Sequence, residues 1–323
     1  MTSATSLFSP IEADLCLLSE NLIQLVGKRH PILSAAAEHL FGAGGKRLRP
    51  AIVLLISRAT MLEQDITPRQ RRLAEITEMI HTASLVHDDV VDEAEVRRGV
   101  PTVHSLFGNR VAILAGDFLF GQSSWYLAHL DNLEVVKLLS EVIMDLAAGE
   151  IQQGLNRFDA SLLLETYLEK SYYKTASLIA NTSKAAGLLS DVSRETSEHL
   201  YGYGRHIGLA FQVVDDILDF TSSTDTLGKP VGSDLKSGNL TAPVLFALKE
   251  KPYLEVLIER EFAQAGDLEQ AIKLIQDSHG LERARELAAN HAQMAVEHLA
   301  DLPPSESRQA LINMADYVLS RLY

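Results

Sequence analysis

From Ile11 to Leu322 the apolar residues of this chain return every third or fourth position, and no stretch alternates at the two-residue period of a strand. That rhythm restricts the chain to helices packed on helices. Helices are expected over Ile11–Val26, entered by Pro10, and over Ile32–Phe41, stopped by Gly42, Gly44 and Gly45. Pro50 opens an apolar helix through Ala51–Ala59, and Thr67-Pro68 starts one running through Ile76, Ile80 and Leu85. Val111–Leu130, Leu133–Gln153, Leu163–Leu178 continuing to Leu189, and Ser197–Phe220 follow. Leu240–Leu248, Tyr253–Glu261, Asp267–Ser278, Leu281–Leu302 and Ser305–Leu322 complete the set, with Gly280 as a break. One long irregular segment, 221–238, is rich in Gly, Ser, Thr and Asp and reads as a functional flap. No composition break divides the chain, so residues 1–323 are read as one all-α domain, a helical bundle.

Two of these helices carry the same acid pattern. Asp88-Asp89-Val90-Val91-Asp92 and Asp215-Asp216-Ile217-Leu218-Asp219 both read Asp-Asp-x-x-Asp. Positions i and i+4 share a helical face, and like charges there cost about 0.2–0.5 kcal/mol per pair, more when buried. A hard divalent cation offsets such a cost, because Mg²⁺ takes carboxylate oxygens together with waters and phosphate. Two chemically identical clusters far apart in the chain suggest helices that face one another across one cavity, as in bundle metal sites.

Composition narrows the partners. The chain is 46% hydrophobic, enough for a deep core, and its formal charge is -14. That balance, with no basic stripe, excludes general nucleic-acid binding, so an anionic ligand needs a local basic pocket. No apolar run reaches the length of a membrane span, and Met1–Pro10 lacks the charged start and apolar core of a signal peptide. Cys16 is the single cysteine, which fits a reducing compartment.

Such a pocket has candidates. Lys46, Arg47 and Arg49 cluster at a helix start, where free N–H groups and the dipole favour an anion. Arg97-Arg98-Gly99 follows the first triplet, His81 lies two turns before Asp88, and Lys174-Thr175 and Lys229 add polar and cationic groups. Two acid walls, several cationic seats and apolar surroundings suit an apolar diphosphate ester whose leaving group must be stabilised.

On these residues the chain resembles the trans-isoprenyl diphosphate synthases over nearly its whole length. The resemblance rests on Gly45-Lys46-Arg47-Leu48-Arg49-Pro50, His87–Asp92 with Arg97-Arg98-Gly99, Gly116-Asp117, Lys174-Thr175, Phe211–Asp219 and Gly228-Lys229. The stretch Ser233–Pro243 is most similar to the solanesyl-type branch of cyanobacteria and plastids. It implies a helical bundle around a deep apolar cavity, usually a homodimer. Asp88, Asp89, Asp92, Asp215 and, less directly, Asp216 and Asp219 would hold Mg²⁺, three ions per site, with Mn²⁺ as a substitute. Arg97, Lys174 and Lys229 would clamp an allylic diphosphate primer, farnesyl or geranylgeranyl diphosphate. Lys46, Arg49, His81 and Arg98 would seat isopentenyl diphosphate, and Thr175 and Gln212 would lie near the reacting carbons.

The implied reaction is repeated head-to-tail condensation giving a long all-trans polyprenyl diphosphate, solanesyl by the nearest resemblance, for a quinone side chain. The enzyme would be cytoplasmic, with at most peripheral membrane contact. Small residues at Ala83 and Ser84, five and four positions before Asp88, leave room for a long product, where short-chain relatives often carry an aromatic ring. Deeper floor candidates are Trp125, Leu139 and Ile143. The chain departs from many relatives at Asn239, where a lysine follows the glycine; Lys236 is a nearby cation. The alternatives are a shorter-chain geranylgeranyl diphosphate synthase, a terpene cyclase, which normally has one such triplet, and a non-catalytic subunit, which tends to lose one.

Overall fold

A long interior helix anchors the amino-terminal half. Leu48–Thr60 buries every residue from Pro50 to Ser57, as a helix that is apolar all round must. The computed structural model describes residues 7–26, 31–42, 47–61, 64–97, 99–221 and 231–322, without the side chains of 34, 37 and 38. Lys46, Arg98, Lys229 and residues 222–230 of the expected flap lie outside the described residues. Among those described the helices are α1 (Glu12–Val26), α2 (Pro31–Gly42), α3 (Leu48–Thr60), α4 (Pro68–Val91), α5 (Val103–Phe107), α6 (Asn109–Ala128), α7 (Leu133–Leu155) and α8 (Leu164–Ser171). After a π-helical turn at Tyr172–Ala176 come α9 (Ser177–Leu188), α10 (Arg194–Thr221), α11 (Ser233–Lys236), α12 (Ala242–Leu248), α13 (Tyr253–Glu259), α14 (Asp267–Gln276), α15 (Gly280–Glu297) and α16 (Glu306–Ser320). The extended structure among the described residues is a two-residue ribbon, β1 (Val96–Arg97) paired antiparallel with β2 (Val100–Pro101).

Contacts gather the chain into two units, each assembled from separate segments. One comprises Met1–Ile143, Asn181–Tyr201 and Asp301–Asn313; the other comprises Met144–Ala180, Gly202–Ala300 and Met314–Tyr323. In the first, α4 packs mainly on α6 and α3. Its entry is fixed by the capping box the sequence carries: the Thr67 hydroxyl accepts from the Gln70 N–H, and the Gln70 side chain accepts from the Thr67 N–H. Small residues let α4 and α6 close tightly beneath the first triplet, in a cluster of Ala36, Val86, Val103, Ala112 and Ala115. In the second unit α12 packs on α15 and α14.

Several boundaries move from the sequence reading. Pro50 lies inside the first turn of α3, whose cap is Arg47 in the left-handed region at φ 47°. The run from Leu163 to Leu189 is not one α-helix but is broken by the π turn. Gly280 opens α15 rather than standing free before it, and residues 233–236 of the expected flap are helical. No helix among the described residues is long and apolar enough to cross a membrane.

Candidate active site

The first acid triplet sits where α4 stops. The Asp92 N–H still donates to the Asp88 carbonyl, Glu93 turns left-handed at φ 52°, and the Ala94 N–H reaches the Asp89 carbonyl. The β1–β2 ribbon then doubles back, with Gly99 at φ +78°, and brings Arg97 Nε to 2.6 Å from Asp89 Oδ1. Asp89 is only 4% exposed. Burial raises its carboxyl pKa and the Arg97 guanidinium opposes that rise. Asp88 is half-buried and Asp92 exposed, so the triplet grades from interior to solvent along one turn.

His87 fixes this end of α4 against α6. Its ring fills the notch left by Gly116, where an added Cβ would stand 2.2 Å from Nε2, and Nε2–H donates to the Ile113 carbonyl at 3.0 Å. A cleft opens beside the triplet, lined by His39, Arg47, Glu78, His81, Asp89 and Arg97. Arg49 donates Nη1–H to His81 Nε2 at 3.1 Å.

The second triplet, in the other unit, has its oxygens already engaged. Asp215 pairs with Arg321 at 2.6 Å, and that guanidinium lies 4.7 Å from the centre of the Phe211 ring. Asp216 accepts from the Tyr167 hydroxyl at 2.5 Å and from Gln212 Nε2 at 2.8 Å. Burial pushes its carboxyl up to about 7, with Asp234 adding to the rise and Lys170 opposing it. Asp219 caps α11, accepting from the Ser233 hydroxyl at 2.8 Å and from the N–H groups of Ser233 and Asp234.

The π turn supplies the other half of this cluster. Thr175 Oγ1 donates to Gln212 Oε1 at 2.6 Å, so Tyr167, Asp216, Gln212 and Thr175 form one chain of hydrogen bonds. Lys174 reaches Glu150 and, at 3.0 Å, Gln153. Two glycines make room for the widened turn. A Cβ on Gly208 would meet Ala176 Cα at 2.7 Å, and one on Gly149 would meet Lys174 Cγ at 2.8 Å. A π turn inside an α-helix is rare and is found frequently at functional sites.

A family model for polyprenyl synthetase matches residues 30–275. The chain is 70% identical to a prenyl transferase of Synechocystis sp. over the full length of both. It is 54% identical to solanesyl diphosphate synthase 1, chloroplastic, of Arabidopsis thaliana, over 99% of this chain and 80% of that one. The chain belongs to the polyprenyl synthetase family. Its fold matches that of a Caulobacter crescentus polyprenyl synthase solved with calcium and isoprenyl diphosphate: TM-score 0.92, 35% identity, 99% and 98% of the two chains.

Within this polyprenyl synthetase the structure brings together Asp89 with Arg97, Arg49 with His81, and Thr175 with Gln212 and Asp216. Among the described residues no three acidic, histidine or cysteine side chains form a ready-made ion cage. The carboxylates are instead held by Arg97, Arg321, Tyr167, Gln212 and the α11 cap. The donor set still fits a hard cation, since hydroxyl and amide donors orient Asp216 while leaving acceptor capacity. Ala83 is fully buried, and the Ser84 hydroxyl is spent on the His81 carbonyl at 2.9 Å. Leu139 is buried, but Trp125 is 64% exposed and rests on His129, so its ring faces outward in this chain. Lys236 is exposed; the side chain that meets Asn239 is Lys170. Sequence reasoning missed Tyr167, Lys170 and Arg321. Tyr167, Lys170 and Lys174 do recur at three- and four-residue spacing, which marks one helical face.

Proposed function

We propose that this chain is a magnesium-dependent trans-polyprenyl diphosphate synthase. It joins isopentenyl diphosphate head-to-tail to a farnesyl or geranylgeranyl diphosphate primer. It repeats the step to solanesyl diphosphate, forty-five carbons, releasing diphosphate each time. The observation that carries the reading is the cleft in which Asp89, Arg97, His81 and Arg47 line one opening at the end of α4. Acid and base side by side there suit a metal-bound diphosphate and a second anion. The 54% identity to a chloroplastic solanesyl diphosphate synthase supports the product length.

Asp88, Asp89, Asp92 and Asp215 and, less directly, Asp216 and Asp219 would hold Mg²⁺. Bound there, the metal neutralises charge developing on a departing diphosphate. Arg97, Lys174 and Lys229 hold the allylic diphosphate, and Lys46, Arg49, His81 and Arg98 hold that of isopentenyl diphosphate. Thr175 and Gln212 line the reacting carbons. The apolar walls exclude water, which protects an allylic cation from capture. The departing diphosphate takes the final proton, so no side-chain nucleophile is required.

Residues 1–323 act as one catalytic domain, with 221–238 as a flap. A homodimer forms through α6, which leaves Ile113, Leu114 and Trp125 exposed. The enzyme works in the cytoplasm, at most peripheral to membranes, and its product serves a quinone side chain. The test is mass spectrometry of products made from isopentenyl diphosphate and a farnesyl or geranylgeranyl primer. Forty-five-carbon product is expected. A product ending at twenty carbons overturns the long-chain reading, and no condensation overturns the reaction itself.

A further inference from the structure

Lys170 is a buried cation that the reaction above does not use. It lies in the last turn of α8, two residues before the π segment, and is only 6% exposed. Its Nζ donates to Asn239 Oδ1 at 2.5 Å and stands 5.5 Å from the centre of the Tyr167 ring. Among the described residues no carboxylate makes an ion pair with it. Asp216, Asp234 and Glu150 attract it from a distance, Lys174 repels it, and burial outweighs them to lower its pKa. A buried ammonium answered by a neutral amide is poor structural material; an apolar side chain of similar size would pack there at no desolvation cost.

Asn239 is rigidly placed to receive it. Gly238 turns at φ +81° against the Phe158 ring, whose Cε2 would be 2.5 Å from an added Cβ. The Phe158 N–H donates to the Gly238 carbonyl and the Asn239 N–H to the Asp234 carbonyl, each at 2.9 Å. Arg157 Nε donates to the Ser237 carbonyl at 2.7 Å. The turn therefore offers one slot for one positive charge: a lysine at 239 would bring its ammonium against that of Lys170. The neutral residue at 239 and the buried lysine at 170 are two halves of one arrangement.

We propose that Lys170, held by Asn239, is a substrate-positioning cation of the second acid cluster. It delivers from α8 the charge that a lysine at position 239 would deliver from the turn. It adds a fixed positive charge near Asp216 and Lys174, so an allylic diphosphate meets less repulsion from the carboxylates there. This rests on the synthase reading given above.

The test compares wild type, Lys170→Met, Lys170→Gln and the relocation pair Lys170→Met with Asn239→Lys, using farnesyl and isopentenyl diphosphates at saturating Mg²⁺. Lys170→Met is expected to raise the KM for farnesyl diphosphate by about 10-fold, the size of one unit charge acting through a partly buried site. The KM for isopentenyl diphosphate should stay within about twofold, and Tm should hold or rise. Lys170→Gln, which keeps an amide partner for Asn239, should show the same KM split if Lys170→Met folds poorly. The relocation pair should recover the farnesyl KM, which a purely structural role would not produce. An unchanged farnesyl KM in both neutral variants overturns the inference, as does a folded relocation pair that fails to recover it. A wild-type protein that condenses nothing overturns the synthase reading instead.

Discussion

The close approach of α10 to the π turn sets up a sharp test at Gly208. An alanine there would place its Cβ 2.7 Å from Ala176 Cα and 2.8 Å from Ala176 Cβ. Carbon atoms pack at about 3.5–4.0 Å, so the two segments must part by about 1 Å. Backbone cannot swing aside as a flexible side chain can. Overpacking of this kind costs about 1–3 kcal/mol, and alanine in place of a helical glycine returns about 1 kcal/mol. The net loss is about 0–2 kcal/mol, a fall of at most about 3 °C in Tm. The functional loss should be larger. Opening the gap by about 1 Å carries Thr175 Oγ1, now 2.6 Å from Gln212 Oε1, out of hydrogen-bond range. A displacement of that size can cost about 100-fold in rate. The matched control is Gly154→Ala in α7, where an added Cβ meets nothing within 4 Å. That variant should keep its activity and gain up to about 1 kcal/mol. Thermal unfolding and steady-state condensation kinetics measure both. If Gly208→Ala behaves like Gly154→Ala, the π turn does not hold Thr175 in working position.

Asp88→Asn and Asp215→Asn should each cut turnover at least about 100-fold at saturating Mg²⁺ with little change in Tm, because the lost interaction strengthens as leaving-group charge develops; near-normal turnover in either folded variant contradicts the assignment. A pH effect on stability should come from the stacked ring cluster of α10 and α15. There His206 and His291 share a 2.9 Å Nδ1 contact, and the His298 ring lies parallel to that of His206. Burial, His291, Arg205 and His298 push His206 from 6.5 down to about 4. A base whose folded pKa is depressed must stay neutral to fold, so its contribution is intact above about pH 6.5 and is lost as pH falls towards 4. Tm measured across that range should fall less steeply in His206→Gln than in wild type. Ser84→Phe should shorten the product while sparing the first condensation, read by mass spectrometry; an unchanged product distribution removes Ser84 from the tunnel wall.

Much of this was legible before any coordinates. The 3.6-residue period announced the helices, and Thr67-Pro68 gave the start of α4 to the residue. The two acid triplets stood out because like charges on apolar helices need an explanation. The π turn was not legible, since Tyr172–Ala176 has the apolar rhythm of an ordinary helix and the extra residue shows only in the hydrogen bonding. Arg321 was missed because its partner Asp215 lies over one hundred positions away and nothing in the local pattern links them. Lys170 was missed for a different reason. A lysine on a helix usually reads as solvated surface, and only burial reveals otherwise. Pro50 was misplaced by a strong habit of proline at the first helical position, which Arg47 overrides by taking the left-handed cap itself.

The π turn has one more implication, which concerns deletions. A π turn is an α-helix carrying one residue too many, and each residue of an α-helix turns the chain by about 100°. Loss of a single residue from Tyr172–Ala176 could therefore be absorbed without breaking the fold, by relaxing the segment to a continuous helix from Leu164 to Leu188. The helix on either side would keep its register, and only the residues of the turn itself would change face. Such a protein would be expected to express, fold and even gain stability, while Lys174 and Thr175 no longer share a face with Gln212. The segment is thus a place where the genetic reading frame of the helix, and not the chemistry of any one side chain, sets whether the site exists.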